Sequence, residues 1–265
     1  MNLSSTAADL FVHDAGDGPA VVMIPGFGMD HTLWESAASL CTSIGHRALT
    51  IDQRGHGQSA KPDNGYDLET LAADVTACLH ERGINQATVI GHSFGGQVAF
   101  AMAATSPKLV ERLILVGSNG VRASRSPSFP FGPRPDAAVT AALTAERDNR
   151  EWSREQSISS AFAHPPHPEV LARLLDISLQ MPSPAAIGCY QTMFTADLTD
   201  RLDMIQQPTL QIIGRNDPVH SAAGARWLQE HLHASTLVEI ENCGHFPMLE
   251  QPEQFQQALA DFIST

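Results

Sequence analysis

The pentapeptide Gly91-His92-Ser93-Phe94-Gly95 lies between an apolar run and a run of small residues. The apolar run over residues 87–90 is typical of a buried strand, and residues 97–104 are typical of a close-packed helix. A serine at such a strand-to-helix turn adopts a strained backbone that costs about 1–3 kcal/mol. The turn closes only if the positions two before and two after the serine lack bulk, and glycines occupy both. The pattern predicts that the Ser93 hydroxyl is raised above a sheet edge, where it can attack a carbonyl group.

The order of the other apolar and helical runs predicts the fold class. Short apolar runs predict strands at residues 20–24, 48–51, 87–90, 113–117, 209–214 and 236–240. Helical runs separate them, at residues 68–81, after Ser93, at 222–232 and from about Pro252 onwards. Strands separated by helices pair in parallel, and unbroken apolar runs suit strands that are buried on both faces. The sequence therefore predicts an α/β fold with a mostly parallel sheet between two layers of helices.

This alternation stops between residues 122 and 197. Residues 122–136 contain four prolines and predict a linker. The residues that follow, about 137–197, show only helical spacing, most clearly over 169–175. The predicted division is a core formed by residues 1–121 and 198–265, with a helical cap at 122–197.

Polar side chains follow the predicted strands where the strands end. Ser93 follows one strand, Asp217 follows the strand after the insertion, and His245 follows the last strand. In an open parallel sheet, functional residues collect at the carboxyl ends of the strands. His245 would take the proton from the Ser93 hydroxyl, and Asp217 would hold the imidazole in the required tautomer. No acidic residue follows the strand at 113–117, which removes the usual rival position for the acid.

Nucleophilic attack would also require donors for the developing oxyanion, each worth about 3–4 kcal/mol. The backbone N–H of Phe94, directly after the serine, is one predicted donor. The N–H of Phe27, after the Pro25-Gly26 turn, is the other. The alternative interpretations are structural: Ser93 as a helix N-cap, Asp217 as a turn residue and His245 as a buried core histidine.

Taken together, these motifs resemble the α/β-hydrolase superfamily over nearly the whole chain. The matching segments are residues 25–28, 52–59, 91–96, 215–218 and 244–245. The resemblance implies an eight-stranded, mostly parallel sheet, a helical cap over the site and the catalytic triad Ser93, Asp217 and His245. Family members often carry His-Gly in the first loop. Here Pro25-Gly26 keeps backbone donation but removes one side chain near the oxyanion hole.

The serine at position 93 narrows the chemistry that the resemblance implies. Epoxide hydrolases and haloalkane dehalogenases of this type use aspartate there. Serine members include carboxylesterases, lactonases, carbon–carbon bond hydrolases, acyltransferases and cofactor-free perhydrolases. Residues 52–57 look like the enol-lactonase and perhydrolase group, whereas residues 25–34 look like the stress-regulator and butenolide-receptor branch.

The expected function is a serine hydrolase that cleaves a small ester, thioester or lactone through an acyl-enzyme. Two alternatives remain open at this point. One is a carbon–carbon bond hydrolase acting on a ring-cleavage product, and the other is a ligand-sensing signalling module that retains the triad. The chemistry requires no cofactor and no metal. The candidate lining of a substrate pocket is apolar and consists of Trp34, Phe129, Met181, Met193 and Phe194.

The net charge and the spacing of the cysteines indicate which binding partners and which cellular compartment to expect. The formal net charge of −13 disfavours nucleic acid, and no apolar stretch reaches the roughly 20 residues that span a bilayer. The four cysteines have no paired spacing, so we expect a reducing cytoplasm and neither disulfides nor a zinc site. The expected partner is a small acyl substrate, and only the signalling alternative requires a protein partner.

Overall fold

The computed structural model describes residues 8–264. The strands are β1 (Val12–Ala15), β2 (Ala20–Ile24), β3 (Arg47–Ile51), β4 (Ala87–His92), β5 (Val110–Val116), β6 (Thr209–Gly214) and β7 (Ser235–Ile240). The helices are α1 (Glu35–Ser43), α2 (Leu68–Glu81), α3 (Phe94–Thr105), α4 (Pro135–Asp148), α5 (Arg150–Ala161), α6 (Pro168–Leu179), α7 (Ser183–Thr195), α8 (Ala222–His231), α9 (Pro247–Glu250) and α10 (Pro252–Ile263). Two 3₁₀ helices cover His31–Trp34 and Thr199–Met204.

The strands form one sheet in the order β1-β3-β2-β4-β5-β6-β7. β1 pairs with β3 in antiparallel fashion, and every other pairing is parallel. The predicted α/β class with a mostly parallel sheet is confirmed. The expected count of eight strands is wrong for residues 8–264, which form seven. The physical reason lies at the edge of the sheet. The described residues before β2 form one strand, β1, which pairs with β3 in antiparallel fashion, and an eight-stranded sheet would need a second strand before β2.

Helix α2 illustrates how the sequence defines an element. The Asp67 side chain accepts a hydrogen bond from the backbone N–H of Thr70 at 2.8 Å and caps the first turn. The helix ends before Gly83, which has a positive φ of 71° that suits glycine. Between these ends, apolar residues recur at helical spacing and are buried. The predicted bounds of 68–81 coincide with the observed ones because the residues that begin and end the helix, Asp67 and Gly83, are close to it in sequence.

The sheet is buried on both faces. Along β2, Val22 and Ile24 belong to one hydrophobic cluster, whereas Val21 and Met23 belong to a second cluster on the opposite face. Helices α2 and α3 contribute to the first cluster, and α1 and α10 contribute to the second. An unbroken apolar run is therefore required in β2, because alternate side chains enter different cores.

Helices α4 to α7 all lie between β5 and β6 in the chain. We call residues 122–197 the insertion. Its last helix, α7, places Ala185, Cys189 and Met193 in the same hydrophobic cluster as α3, so this helix packs directly on the core. No helix within residues 8–264 is both long and apolar enough to cross a bilayer.

Candidate active site

Ser93 occupies the sharp turn between β4 and α3, with φ 52° and ψ −121°. Positive φ is rare for a residue other than glycine, and here it is imposed by close backbone packing. A Cβ on Gly91 would lie 2.3 Å from the carbonyl oxygen of Gly95. A Cβ on Gly95 would lie 2.4 Å from the carbonyl oxygen of Pro25. The two glycines thus let β4, α3 and the loop after β2 meet around the serine.

Asp217 and His245 lie in the loops after β6 and β7. Nδ1 of His245 is 2.9 Å from Oδ2 of Asp217. The other oxygen of Asp217 accepts hydrogen bonds from the backbone N–H groups of Val219 at 2.8 Å and His220 at 3.0 Å. Burial by itself raises the pKa of Asp217, but interactions with His245, and weaker ones with His220, together outweigh burial and bring the pKa below its ordinary value. The carboxylate is therefore ionised at neutral pH and holds Nδ1 of the imidazole.

The backbone of His245 is held from two sides. Its N–H donates to the carbonyl oxygen of Ala161, at the end of α5, at 2.8 Å. Its carbonyl oxygen lies 2.9 Å from Nε2 of His92. The insertion and the residue before the candidate nucleophile therefore both fix the position of His245.

Two further histidine rings lie against the His245 ring. The His92 centroid is 4.7 Å away, and the His220 ring stacks at 5.7 Å with an interplanar angle of 18°. Burial lowers the pKa of His92 to about 3 and that of His220 to about 4, so both are neutral near pH 7. His92 thus packs and hydrogen-bonds beside the site. His220 was missed at the level of sequence, where nothing separates it from other loop histidines.

A cavity of about 280 Å³ opens above Ser93 and His245. Its walls come from both the core and the insertion, and most of the exposed lining is apolar. The remaining lining residues are Phe27, Met29, His92, Arg154, Ser157, Ile158, Ser160, Ala161, Ser178, Tyr190, Met193, Phe194, Val219 and Phe246. A concave, mainly apolar site with a few convergent polar groups is the usual form of a small-molecule pocket.

The five predicted pocket residues divide between the cavity and the hydrophobic cores. Met193 and Phe194 line the cavity. Trp34, Phe129 and Met181 do not line it and are buried elsewhere. Trp34 lies between His92 and Phe255, while Phe129 packs against Phe131 and Trp227. Met181, just after α6, belongs to the core cluster shared with α3. Their apolar character indicated burial, but it could not indicate which buried space they fill.

Several lining residues were not singled out from the sequence, above all Arg154 and Tyr190. Arg154 is a charged residue within an amphipathic helix, and local pattern favours an exposed position for it. In the structure its side chain is 2% exposed and forms an ion pair with Glu146. Tyr190 lies on α7, where burial raises its pKa to about 12 and keeps the hydroxyl neutral. Only the packing of the insertion on the core brings these two residues to the cavity.

The two predicted oxyanion donors belong to the segments on either side of Ser93. Phe94 is the first residue of α3, and Phe27 follows Gly26. Gly26 packs directly against the serine, since a Cβ there would lie 3.0 Å from Cβ of Ser93. Within residues 8–264, neither the N–H of Phe27 nor that of Phe94 donates to another protein atom. Both are backbone donors in the immediate vicinity of the serine.

The segment at residues 52–59 supports the loops around the site. The Arg54 guanidinium makes two buried hydrogen bonds to Asp74, at 2.6 and 2.9 Å. Gln53 Nε2 donates to the carbonyl oxygen of Pro25 at 2.7 Å. Neither side chain lines the cavity. On the side of the core, this segment therefore fixes the loop that contains Phe27, through the bond from Gln53 to Pro25.

Comparison with known proteins gives a family match over most of the chain. A family model described as the alpha/beta hydrolase fold matches residues 19–252. A pimeloyl-[acyl-carrier protein] methyl ester esterase from Nitrosomonas europaea is 31% identical over 251 residues, which cover 94% of this chain and 97% of that protein. A 3-oxoadipate enol-lactonase from Acinetobacter baylyi is 27% identical, over 96% of this chain and 93% of its own length.

A solved structure supports the same relationship. An esterase from Exiguobacterium antarcticum superimposes with a TM-score of 0.92 at 26% identity. The match covers 97% of this chain and 96% of that esterase. The similarity includes the insertion as well as the sheet, because so little of either chain is left unmatched.

Proposed function

Because this chain belongs to the α/β-hydrolase family, we propose that it is a serine hydrolase that cleaves a small ester, thioester or lactone. One observation carries the proposal: Ser93 and His245 line the same cavity, and Nδ1 of His245 lies 2.9 Å from Oδ2 of the buried Asp217. Two groups from distant parts of the chain thus reach one small, mainly apolar space, and a third group binds the imidazole. The curated relatives named above are an esterase and a lactonase, and this supports acyl transfer to water as the reaction class.

The proposed reaction begins with attack by the Ser93 hydroxyl on the acyl carbon. His245 takes the hydroxyl proton at Nε2, since Nδ1 is engaged by Asp217. The ionised Asp217 stabilises the imidazolium that forms. The N–H groups of Phe27 and Phe94 stabilise the oxyanion, and His245 then gives its proton to the leaving alcohol or thiol. A water molecule, deprotonated by the same imidazole, then attacks the acyl carbon. The bond from that carbon to Oγ of Ser93 breaks, His245 returns the proton to Oγ, and the acid is released.

The size and lining of the cavity support small substrates. A volume of about 280 Å³ lies at the low end of small-molecule sites. Met193, Phe194 and Ile158 supply apolar walls, so the acyl or alcohol group is expected to be short and apolar. We propose that residues 122–197 act as a cap, because α5 and α7 contribute much of this wall.

The proposal is tested by replacing the nucleophile. Ser93→Ala is expected to remove hydrolysis of p-nitrophenyl acetate and butyrate while leaving the circular dichroism spectrum unchanged. Wild-type protein treated with a p-nitrophenyl phosphonate is expected to gain one adduct, located on Ser93 by peptide mass spectrometry. Ser39→Ala, at an exposed helical serine, is the matched control. Full hydrolytic activity in Ser93→Ala would overturn the proposal.

A further inference from the structure

The side chain of Phe27 is held by residues of the insertion. Its ring stacks on Tyr190 of α7 with 4.1 Å between centroids and an interplanar angle of 29°. The guanidinium carbon of Arg154, on α5, lies 5.6 Å from the centre of the same ring. An aromatic stack and a cation near the ring each favour a defined ring position over a mobile one.

The next residue, Gly28, contacts a third helix of the insertion. A Cβ at Gly28 would lie 2.7 Å from Oγ of Ser178, at the end of α6. Gly28 also has a positive φ of 70°, a backbone conformation that is strained for any residue with a Cβ. Helices α5 and α7 therefore contact Phe27, and helix α6 contacts Gly28.

The contacting groups of the insertion are themselves fixed. Arg154 donates to both carboxylate oxygens of Glu146, at 3.1 and 3.0 Å, and to the carbonyl oxygen of Ser178. These bonds tie α4, α5 and α6 together around a side chain that is 2% exposed. Gly188 gives α7 a close approach to the core, because a Cβ there would lie 2.8 Å from the Tyr66 ring. Arg154 therefore cannot follow a displaced Phe27 ring without breaking these bonds, and the backbone of α7, which carries Tyr190, is held close to the core.

From these contacts we infer that Tyr190 is a positioning residue for the oxyanion hole, with Arg154 in a supporting role. The inference rests on the proposed function, in which the Phe27 N–H is one oxyanion donor. Gln53 fixes this loop from the core through Pro25, and Tyr190 fixes it from the insertion through the Phe27 ring. Because such donors act only when 2.7–3.1 Å from the oxyanion, a small displacement of the loop removes transition-state stabilisation. The insertion thus takes part in catalysis as well as enclosing the substrate.

The test compares two substitutions at Tyr190. Tyr190→Phe keeps the ring and its stack, so it is the conservative variant, and its kcat is expected to exceed that of Tyr190→Leu about tenfold or more. Tyr190→Leu removes the ring and is expected to lower kcat about 10- to 100-fold, since the loss of one whole donor costs about 10²–10³-fold. Because Tyr190 also lines the cavity, KM is expected to change, but by a smaller factor than kcat. The rate of phosphonate labelling of Ser93 is expected to fall by the same factor as kcat. Phe131→Leu is the matched control, because it removes another half-buried aromatic contact of the insertion away from the cavity.

A second variant keeps the inference testable if Tyr190→Leu does not fold. Phe27→Leu retains the backbone N–H but removes the other half of the stack, so the same loss of kcat is expected. In the double variant the two losses are expected to overlap rather than multiply, because both remove one contact. Unchanged kcat in Tyr190→Leu, a rise in KM alone, or an equal loss in Tyr190→Phe would overturn the inference. Failure of the proposed function looks different, since wild-type Ser93 would then resist the phosphonate and Ser93→Ala would remain active.

Discussion

Oδ2 of Asp217 lies 2.9 Å from Nδ1 of His245, and the two residues come from loops after different strands, β6 and β7. The pair is buried, and the other oxygen of Asp217, Oδ1, accepts hydrogen bonds from two backbone N–H groups. The carboxylate therefore has a fixed orientation and occupies Nδ1 of the imidazole, which leaves Nε2 as the other ring nitrogen of His245. This geometry can be tested without any knowledge of the natural substrate.

Replacement of Asp217 by asparagine is expected to lower kcat about 10³- to 10⁴-fold with little change in KM. The amide can donate to Nδ1, which favours the imidazole tautomer that carries its proton on Nε2 and cannot accept one from Ser93. Steady-state hydrolysis of p-nitrophenyl butyrate measures the effect. Asp200→Asn, at an exposed carboxylate, is the control and is expected to match wild type. A loss smaller than tenfold at Asp217 would show that the acid lies elsewhere.

Stability is expected to fall as the pH drops from about 6.5 towards 4. Burial lowers the pKa of His56 and of His220 to about 4 and that of His92 to about 3. In the unfolded chain the pKa returns to about 6.5, so between these values the unfolded state binds more protons than the folded state. At pH 5 each such histidine costs up to about 2 kcal/mol of unfolding free energy. Urea denaturation at pH 7.5 and at pH 5 measures the difference.

His220→Phe provides the matched variant for this pH effect. Within the described residues neither ring nitrogen of His220 has a hydrogen-bond partner, so phenylalanine removes no hydrogen bond. The variant is expected to lose less stability than wild type between pH 7.5 and pH 5. Equal losses in the two proteins would contradict the assignment of His220 as a buried neutral histidine.

The buried ion pair of Arg54 and Asp74 is expected to contribute far more to the free energy of unfolding than an exposed ion pair does. The two side chains are 5% and 3% exposed. Asp74→Asn leaves an uncompensated buried guanidinium and is expected to cost about 3–5 kcal/mol of unfolding free energy. Asp14→Asn removes an ion pair with Arg47, in which each side chain is about one third exposed, and it is expected to cost about 0–1 kcal/mol of unfolding free energy. Similar values for both variants in urea would show that the Arg54 loop does not depend on its ion pair.

Gly95→Ala is expected to lose more than about 3 kcal/mol of unfolding free energy, because the added Cβ would lie 2.4 and 2.5 Å from the carbonyl oxygens of Pro25 and Ile24. Those atoms are backbone of β2 and the loop after it, so no side-chain rotation relieves the contact. Gly83→Ala is the control. Its Cβ meets no atom within 4 Å, and only the strain of φ 71° remains, worth about 1–2 kcal/mol. Thermal unfolding of both variants distinguishes steric from conformational cost.

Local signals predicted most of the sheet and several helices. β2, β6 and α2 begin and end where their apolar runs and flanking turn residues place them. By contrast, β1 and α1 were not predicted. β1 has four residues, of which two are exposed, and α1 is a short helix in which only three residues are buried. Such elements carry little periodic signal, and their contacts with neighbours decide their structure.

The sequence by itself determined the fold class, the strained turn at Ser93 and the candidate groups Asp217 and His245, because these depend on strand periodicity and on glycines that permit close backbone contact. Only the tertiary structure decided which side chains form the cavity. It brought Tyr190 and Arg154 to Phe27 and left Trp34, Phe129 and Met181 in the cores. The physical reason is that hydrophobic burial does not select a partner, whereas a cavity wall is formed where inserted helices meet loops and helices that lie far away in sequence.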